Sequence, residues 1–430
     1  MISVNRVAGF AEMEEARSLL ERLSFVKLVF VDLFGSARAL QVPASRLIHN
    51  ERPAVYFDGS AIEGRTRLLE EDMLLVPDFS TLMDAGNGIG RAFCRVETPD
   101  GLSWPVDPRT ALISYCNRSA GSTASGLVRR WSASAELEFY ILQPDQRPVD
   151  RGGYFADIES VGIKVARSVA KRMHALGINV SGMHHEAGPG QYEIDLPALD
   201  PVAIADAIIL AKQMIVEEAR VAGLTVTFAA RPLAGEPGSG LHLHQHIEGA
   251  AVTPSLSSDA EAIIAGVLDH AGGLIALAAP SPNSYRRLHA GPEAPGLVIW
   301  AHENRSALVR VGMSIDGKAS IEFRAADPTC NPYLLVTGLL AVEQAGLDEE
   351  SRAGRPVEEE PRGFDPAALE VAPRLLPRNL DEALDALLDD EFLCDAFDDR
   401  LLSRLVEGSR NEIEAANATI GNMELLSYLE

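Results

Sequence analysis

The stretch Ala135-Glu136-Leu137-Glu138-Phe139 predicts a strand that carries two carboxylates on one face of a sheet. Successive side chains of a strand point to opposite faces, so Glu136 and Glu138 share one face and the apolar residues share the other. Neighbouring carboxylates repel each other by about 1–4 kcal/mol, so their burial would require a cation. An exposed strand face is the alternative for this motif alone, but its apolar flanks indicate a packed side, and the strand is expected over residues 131–142.

Four further strand-like segments carry histidines or acids that could meet these two carboxylates. They are His184-His185-Glu186, Gln191-Tyr192-Glu193, Gly240-Leu241-His242-Leu243-His244 and Ile321-Glu322-Phe323-Arg324. Five carboxylates and a histidine could converge on divalent metal, and oxygen ligands favour Mg²⁺ or Mn²⁺. An exposed turn is the alternative for residues 186–193. The spacing of His242, His244 and His246 on one strand face leaves a zinc or iron site as another alternative.

Arginines near these segments could hold phosphate. Guanidinium groups suit bidentate contacts with carboxylate and phosphate, whereas a surface ion pair is the ordinary role of any single arginine. The candidates are Arg286, Arg287, Arg305, Arg310 and Arg324. Metal-binding carboxylates combined with such arginines indicate phosphoryl transfer.

The composition excludes several classes of protein. The chain has 430 residues, of which 47% are hydrophobic and 23% charged, and this profile predicts a folded protein with two domains. Its 62 acidic and 38 basic residues give a net charge of -24, so nucleic acid is not expected as a partner. No apolar run reaches the roughly 18–20 residues of a membrane span, and the N-terminus lacks the apolar core of a signal peptide. A cytoplasmic protein without a membrane partner is therefore expected.

The order of predicted elements indicates a small α+β domain followed by a larger mixed domain, with a boundary near Val106-Asp107-Pro108. The first domain is expected to contain a helix over 10–23, a hairpin over 26–43 and strands at 72–78 and 91–97. The second is expected to contain a helix over 161–176 closed by Gly177, a helix from Asp200-Pro201 to Gly223, a strand at 224–228 and acidic helices over 379–417.

Assembled in order, these motifs resemble the glutamine synthetase family over nearly the whole chain. Phe57-Asp58-Gly59-Ser60-Ala61-Ile62-Glu63-Gly64 is similar to the DGSSIEG signature of that family, and Asp72-Met73 through Pro77-Asp78 to its DMxLxPD strand. The other matching segments are Gly152-Gly153-Tyr154-Phe155, Glu136-x-Glu138, His185-Glu186, Gly190-Gln191-x-Glu193, Gly238-Ser239-Gly240-Leu241-His242-x-His244, Asn283-Ser284-Tyr285-Arg286-Arg287-Leu288, Asn304-Arg305-Ser306-Ala307, Ile321-Glu322-Phe323-Arg324, Asp327-Pro328 and Asn331-Pro332-Tyr333. The resemblance implies an N-terminal β-grasp domain over residues 1–107 and a C-terminal catalytic α/β domain over residues 108–430.

The resemblance also implies a reaction and its metal ligands. ATP, the co-substrate, would phosphorylate the γ-carboxylate of glutamate, and an amine would then displace the phosphate. Two or three Mg²⁺ or Mn²⁺ ions per site are expected. Their implied ligands are Glu138, Glu186 and Glu193 for one ion and Glu136, His242 and Glu322 for another.

Further roles follow from the same resemblance. Arg310 and Arg324 would neutralise charge on the transferred phosphoryl group. Asp58 and Glu293, the latter on a flap, would accept protons from the amine. The implied nucleotide and phosphate contacts are His244, His246 and Arg310. The implied substrate contacts are Gly238, Arg287, Arg305, Tyr154 and Ala61, the last two in the amine pocket.

The resemblance implies a homo-oligomer, a dodecamer of two stacked hexameric rings with active sites between neighbouring protomers. Asp58 would then complete the site of the adjacent protomer. Glutamate, ATP and an amine are the small molecules that this assembly is expected to bind.

The chain departs from the family pattern at several of these positions. Ala61 replaces the usual serine beside Asp58, and His246 replaces a serine that contacts the nucleotide. Ser320 replaces an arginine, which removes a phosphate partner worth about 1.5–3 kcal/mol. These changes resemble diverged branches of the family in which glutamate is joined to an amine other than ammonia, and they predict that activity. A true glutamine synthetase that uses ammonium and a catalytically silent regulatory homologue are the alternatives.

Overall fold

The computed structural model of the protein describes residues 10–49, 52–63, 72–122, 126–248, 256–289, 294–313, 319–358 and 374–418. Within these residues the chain forms two sheets, one in the N-terminal part and one in the remainder. Two positions singled out in the sequence, Gly64 of the signature and Glu293 of the flap, lie outside the described residues.

The N-terminal sheet has the strand order β2–β1–β6–β4–β3, and β5 pairs with β6. Its elements are α1 (Phe10–Leu20), β1 (Phe25–Val31), β2 (Ala37–Pro43), α2 (Ala44–Ile48), β3 (Val55–Asp58), β4 (Asp72–Pro77), β5 (Met83–Asp84) and β6 (Ile89–Glu97). Strands β1 and β2 form the hairpin expected from the sequence, and β1 runs parallel to β6. A short 3₁₀ helix at Gly59–Glu63 follows β3.

The turn of this hairpin holds the two parts of the molecule together. Gly35 has a φ of +80°, and a Cβ at this position would lie 3.0 Å from the carbonyl oxygen of Cys330, so only glycine fits without movement. The side-chain amide of Asn331 donates hydrogen bonds to the carbonyl oxygens of Asp32 and Leu33, at 3.1 and 3.2 Å. The N-terminal sheet is thereby fixed against the C-terminal part.

The C-terminal sheet has the strand order β12–β13–β14–β11–β7–β9–β8, and β10 pairs with β7. Its strands are β7 (Trp131–Leu142), β8 (Gly182–His185), β9 (Gln191–Leu199), β10 (Thr225–Thr227), β11 (Leu241–Ile247), β12 (Leu297–Ala301), β13 (Ala307–Met313) and β14 (Ala319–Phe323). The helices are α3 (Pro108–Ser122), α4 (Leu127–Arg130), α5 (Val161–Ala175), α6 (Pro201–Val221), α7 (Ser258–Asp269), α8 (Ala271–Ala278), α9 (Pro282–Leu288), α10 (Pro332–Asp348), α11 (Leu380–Leu388), α12 (Glu391–Ala396) and α13 (Asp399–Ala418).

The ends of the long helices follow from local chemistry, as the sequence predicts. Asp200 accepts a hydrogen bond from the backbone N–H of Ala203 at the start of α6, and Gly223 takes a φ of +72° just after its end. Helix α5 stops at Ala175, and Gly177 follows with a φ of +81°. No single helix in the described residues is long and apolar enough to span a membrane, although α7 and α8 together meet that measure across a bend of 77°.

One face of the C-terminal sheet packs against helices, which leaves the other face for polar residues. Leu137, Phe139 and Ile141 of β7 are fully buried, and α6 packs against β7 and β9. Helix α10 is buried along most of its length and contacts α6, α7 and α3. The apolar residues that alternate with Glu136 and Glu138 are therefore core residues. Because Glu138 is itself buried, the exposed-strand alternative for this motif is wrong.

A buried ion network fastens the N-terminal sheet to the helices beneath the C-terminal sheet. Arg109 of α3 donates to both carboxylate oxygens of Asp206 on α6, at 3.0 and 2.9 Å, and to Asp78 at 2.9 Å. The Tyr333 hydroxyl donates to Asp206 at 2.5 Å. Burial lowers the pKa of Arg109, but its carboxylate partners outweigh that effect and raise it well above its usual range. These four residues are called the anchor network below.

Candidate active site

The acidic and histidine residues predicted as metal ligands meet on one face of the C-terminal sheet. They come from β7, β9, β11 and β14 and from the segment just after β8. Because paired residues of neighbouring strands point to the same face, the register brings their side chains together. The cross-strand pairs are Glu136 with His242, Glu138 with Glu193, and His244 with Glu322. The six residues Glu136, Glu138, Glu186, Glu193, His242 and Glu322 are called the carboxylate set below.

Glu136 is held by two histidines of β11. Nδ1 of His242 and Nε2 of His244 each lie 2.8 Å from a different carboxylate oxygen of Glu136. Burial raises the pKa of Glu136, but hydrogen bonds from His242 and His244 outweigh it and hold that pKa well below its usual range. Glu322 lies 3.6 Å from Nδ1 of His242, so the three predicted ligands of the second ion are neighbours.

Glu138 and Glu193 lie on adjacent strands and are both buried. The carboxylate of Glu138 accepts hydrogen bonds from the Gly240 N–H at 2.9 Å and from the Gln191 amide at 3.1 Å. Burial raises the pKa of Glu138, and the nearby carboxylate of Glu186 raises it further. Burial and then repulsion from Glu136 and other nearby carboxylates raise the pKa of Glu193 well above its usual range. Acids in this position are stable only with protons or with cations between them, so the donor set fits divalent metal ions.

Three of the five candidate arginines, Arg287, Arg310 and Arg324, lie beside the carboxylate set, whereas Arg286 is exposed. Arg287 and Arg324 are only 6% and 7% exposed, so the surface ion-pair alternative is wrong for these two. Arg324 pairs with Glu322, and Nε of Arg310 lies 2.7 Å from the second carboxylate oxygen of the same residue. Glu322 is thus a metal-ligand candidate that also holds the guanidinium groups of two arginines in place.

A cavity of about 280 Å³ opens beside the carboxylate set. Its lining includes Glu138, Glu186, Gly238, His242, Arg287 and Arg324. Arg287 reaches it with a fixed guanidinium group, which donates to the carbonyl oxygens of Ala325 and Ala326 at 2.9 and 3.0 Å. A Cβ at Gly238 would lie 2.6 Å from the Ala230 carbonyl oxygen and 2.7 Å from Cγ of Arg287, so this position has no room for a side chain.

Two aromatic residues, Tyr154 and Phe155, pack against His184, which contacts Glu186. The ring of Tyr154 lies 5.7 Å from that of His184, and the guanidinium of Arg305 lies 5.9 Å from the Tyr154 ring. Phe155 stacks on His184 at 4.3 Å, with a backbone φ of +55° that is unusual for a bulky residue. Tyr154 and Arg305 therefore lie close to each other, and their role in binding substrate stays a prediction.

The predicted nucleotide contacts lie at the β14 side of the site. Nδ1 of His244 is 3.2 Å from the Ser320 hydroxyl, and Nδ1 of His246 is 3.1 Å from the carbonyl oxygen of Ala319. Ser320 is 1% exposed. The serine that stands in place of the family's arginine therefore contacts His244 directly.

Asp58 and Ala61 are not joined to this site within one protomer. Asp58 is exposed at the end of β3, and its carboxylate accepts hydrogen bonds from the N–H and hydroxyl of Ser60, which lower its pKa. Ala61 packs against the core. No hydrogen bond or ion pair of the described residues connects Asp58 to the carboxylate set, so its role in a neighbouring site stays a prediction.

Three residues of the site were given no role in the sequence analysis, although two of them stand in segments that it quotes. Gln191 connects Glu138 to the Gly238 carbonyl oxygen, at 3.1 and 3.0 Å, and His184 lies 2.9 Å from Glu186. Asp195 is 2% exposed, and burial followed by repulsion from Glu136 raises its pKa to about 6. The signal for Asp195 was present: Glu193-x-Asp195 has the same alternation as Glu136-x-Glu138.

Comparison with protein families agrees with this geometry. Residues 22–97 match the model of the glutamine synthetase β-grasp domain, and residues 105–428 match that of the glutamine synthetase catalytic domain. The protein therefore belongs to the glutamine synthetase family of ATP-dependent ligases. The α+β fold expected from the sequence, a β-grasp domain followed by a catalytic domain, is confirmed.

Relatives named glutamine synthetase align along almost the entire chain. The protein from Methanococcus maripaludis is 33% identical, covering 95% of this chain and 96% of its own length. The protein from Thermus thermophilus is 32% identical, covering 98% and 99%. A solved structure described as a GmaS/ADP complex is 26% identical with a TM-score of 0.82, covering 96% of this chain and 99% of its own. Glutamine synthetase from Plasmodium falciparum, at 21% identity and a TM-score of 0.85, shares the fold.

Proposed function

We propose that this protein joins the γ-carboxylate of glutamate to an amine other than ammonia, using ATP and a γ-glutamyl phosphate intermediate. The observation that carries the proposal is the carboxylate set on one sheet face, bordered by Arg287, Arg310 and Arg324. A carboxylate is a poor electrophile and an acyl phosphate is a good one, so phosphorylation by ATP prepares glutamate for attack. The division into domains at residues 107 and 108 coincides with the start of α3 at Pro108.

The carboxylate set would hold two Mg²⁺ or Mn²⁺ ions. Glu138, Glu186 and Glu193 would bind one, and Glu136, His242 and Glu322 the other. When bound, such ions supply charge neutralisation for the transferred phosphoryl group. The described structure supports this assignment because Glu138 and Glu193 are buried next to other acids, where ionised carboxylates are stable only beside cations.

The chain's own arginines prepare the same step. Arg310 and Arg324 both contact Glu322, so each is held at the edge of the set where phosphate charge would develop. His244, oriented by Ser320 and Glu136, lies on the same edge. These groups, together with His246, would contact the nucleotide phosphates. The solved GmaS structure contains ADP, as its description states, which supports a nucleotide as co-substrate.

The cavity at Gly238 and Arg287 would take glutamate. Arg287 is fixed by three backbone carbonyls, the third being that of Arg324 at 3.1 Å, so its guanidinium is positioned before substrate arrives. Gly238 lines the same cavity, and a side chain at this position would clash with Ala230 and Arg287. Arg305, which lies over the Tyr154 ring, would contact substrate from the opposite side.

The amine would enter between Tyr154 and the Asp58 segment of an adjacent protomer in a dodecamer of two stacked hexameric rings. Asp58 is exposed on the N-terminal sheet, which suits a group that acts on a neighbour. Asp58 and Glu293 would accept the amine's protons. Ala61 in place of serine removes a polar contact and enlarges the pocket, which favours an organic amine.

Ammonium is the second candidate acceptor. The relatives named glutamine synthetase are up to 33% identical over 95% of this chain, and Asp58 and Tyr154 are both retained. In this alternative Ala61 would be an incidental change.

A panel of acceptors tests the proposal. Purified full-length protein would be supplied with ATP, Mg²⁺, glutamate and one amine at a time, including ammonium, polyamines, ethanolamine and small alkylamines. ADP release and the mass of the amide product would be measured. We expect fastest turnover with one organic amine. Fastest turnover with ammonium would overturn the choice of acceptor, and no ADP with any amine would overturn the proposed activity in favour of a silent homologue.

A further inference from the structure

The 3₁₀ helix at Gly59–Glu63, called the Asp58 helix below, directly follows the exposed Asp58. Asp58 accepts hydrogen bonds from the N–H and the hydroxyl of Ser60 in this helix. The helix itself is turned inwards, since Ser60, Ile62 and Glu63 are 1%, 0% and 3% exposed. The position of Asp58 therefore depends on what the buried residues of the Asp58 helix contact.

One of these contacts comes from the C-terminal helix α13. Nη1 of Arg404 lies 2.6 Å from Oε1 of Glu63, although the two residues are 341 positions apart in the chain. Hydrogen bonds between ionised groups are about twice as strong as neutral ones and fix the geometry of both partners. Arg404 therefore holds the last residue of the Asp58 helix.

The ring of Trp104 holds Arg404 in turn. The guanidinium of Arg404 lies 5.4 Å from the centre of this ring and that of Arg400 lies 5.6 Å from it, both within range of a cation–π attraction. Trp104 is 8% exposed, so it is a fixed surface. Arg400 pairs with Asp398 at the start of its own helix, whereas Arg404 reaches Glu63. The two arginines share a helix and a ring but have different partners.

Helix α13 is also held against the N-terminal part of the molecule. A Cβ at Gly408 would lie 2.2 Å from Cζ of Phe34, so α13 lies directly against the turn between β1 and β2. In the same turn, the N–H of Leu33 donates to the carbonyl oxygen of Ile62 at 2.6 Å. The Asp58 helix thus contacts both this turn and α13, which also contact each other.

We propose that Arg404 is a positioning residue for the attack of the amine. Through Glu63 it fixes the Asp58 helix, and with it the proton acceptor that Asp58 would supply to the adjacent protomer. This inference rests on the proposed function. The sites proposed for ATP and glutamate lie on the C-terminal sheet, so Arg404 should affect the amine and leave the binding of these two substrates unchanged.

Kinetics in which each substrate is varied in turn test this role. Arg404→Gln removes the charge, and kcat/KM for the best amine should fall about 10- to 100-fold, the effect of a small displacement of a reacting group. The KM for ATP and the KM for glutamate should not change. Arg404→Lys keeps the charge and should recover part of the loss. Arg400→Gln, on the same helix and the same ring, is the control and should behave like the unchanged protein.

Two kinetic results would overturn the proposal. One is the same kcat/KM for the amine in Arg404→Gln and in the unchanged protein. The other is a parallel rise of the KM for all three substrates, which would indicate general damage to the fold. Thermal unfolding of each variant, expected to remain cooperative, confirms that the proteins compared are folded.

Mixed oligomers distinguish an effect on the neighbouring site from damage to the variant's own site. Arg404→Gln chains would be co-expressed with Glu138→Gln chains, which lack a proposed metal ligand. In such assemblies an intact carboxylate set of one chain can adjoin an intact pair of Glu63 and Arg404 in the next. We expect kcat/KM for the amine well above that of either variant alone. No recovery, in assemblies that native mass spectrometry shows to contain both chains, would overturn the role between protomers.

Hydrogen exchange tests the same contact without catalysis. Residues 57–63 should exchange faster in Arg404→Gln than in the unchanged protein, and Arg400→Gln should leave their exchange unchanged. Unaltered exchange in Arg404→Gln, in a protein that turns over normally, would overturn the role of Arg404 alone. Absence of ADP release from the unchanged protein with every amine would instead overturn the proposed function, and this role in it.

Discussion

The anchor network and the carboxylate set are both buried groups of charged residues, but only in the anchor network does each carboxylate bond directly to a guanidinium group. In the anchor network, Arg109 bonds to both oxygens of Asp206 and to Asp78. In the carboxylate set, Glu138 and Glu193 are buried with other acids as neighbours. A buried network in which each carboxylate bonds to a guanidinium group stabilises the fold, whereas we expect one whose acids face each other to bind cations from solution.

Removing an acid from the carboxylate set should have the largest effect on activity. Glu138→Gln keeps the shape but removes the charge that would hold a metal ion near the phosphoryl group. We expect ADP release to fall at least about a thousand-fold, since one such ion stabilises the transition state by several kcal/mol. Asp145→Asn, which removes an exposed charge, should retain full activity. Comparable turnover in the two variants would contradict the metal role.

Breaking the anchor network should affect stability instead. Arg109→Ala leaves Asp206 and Asp78 without their guanidinium partner, and loss of one partner of a buried pair costs about 3–5 kcal/mol. Urea unfolding of purified protein would measure the loss. Arg129→Ala, at a position outside the network, is the control and should unfold like the unchanged protein. A loss below about 1 kcal/mol for Arg109→Ala would show that the network is not structural.

The excess of buried carboxylates should also make the metal-free protein less stable at neutral pH than at acidic pH. The pKa of Asp195 rises on folding from 3.8 to about 6, chiefly through burial, so the folded state keeps a proton that the unfolded state loses. Stability should therefore fall as the pH rises from about 4 to about 6, by about 2–3 kcal/mol from this group alone. Urea unfolding of chelator-treated protein across this range would show it. Asp195→Asn should reduce the dependence, and an equal slope in both proteins would contradict this origin.

The smallest effect is expected for a change on the β14 side of the site, where the nucleotide would bind, and it should appear in the KM for ATP. Ser320→Ala removes the hydroxyl that lies 3.2 Å from Nδ1 of His244. A neutral hydrogen bond contributes about 0.5–1.5 kcal/mol, so the KM for ATP should rise about 2- to 12-fold with kcat nearly unchanged. An unchanged KM would show that Ser320 does not position His244. Ser36→Ala, in the turn between β1 and β2 and distant in sequence from Ser320, is the matched control and should leave the KM for ATP unchanged.

Local signals in the sequence were sufficient for the elements that carry the site. Strand β7 spans Trp131–Leu142 as expected, because alternating residues give a strand its two faces. Local residues also predict both ends of α6, with Asp200 as the N-cap and Gly223 just after the C-terminal end. The register that joins Glu136 to His242 could not be read locally, since the partners are 106 residues apart, and only the family motifs indicated it.

The features that the sequence did not predict depend on contacts between residues that are far apart in the chain. Arg109 and Asp206 are 97 residues apart, and no local pattern distinguishes Arg109 from a surface arginine. Phe155 reaches His184 through a positive φ that sequence does not predict for phenylalanine. Asp195 was given no role, although Glu193 and Asp195 are spaced like Glu136 and Glu138. The sequence does not show that the polar face of this strand is buried.

The measurement that tests the central claim most directly is the transfer of oxygen from glutamate to phosphate. Glutamate labelled with ¹⁸O in its γ-carboxylate would be supplied with ATP, Mg²⁺ and the best amine, and the released phosphate would be analysed by mass spectrometry. If the carboxylate set and its arginines activate glutamate as an acyl phosphate, each phosphate formed will carry one ¹⁸O atom. Phosphate released without label would contradict that activation.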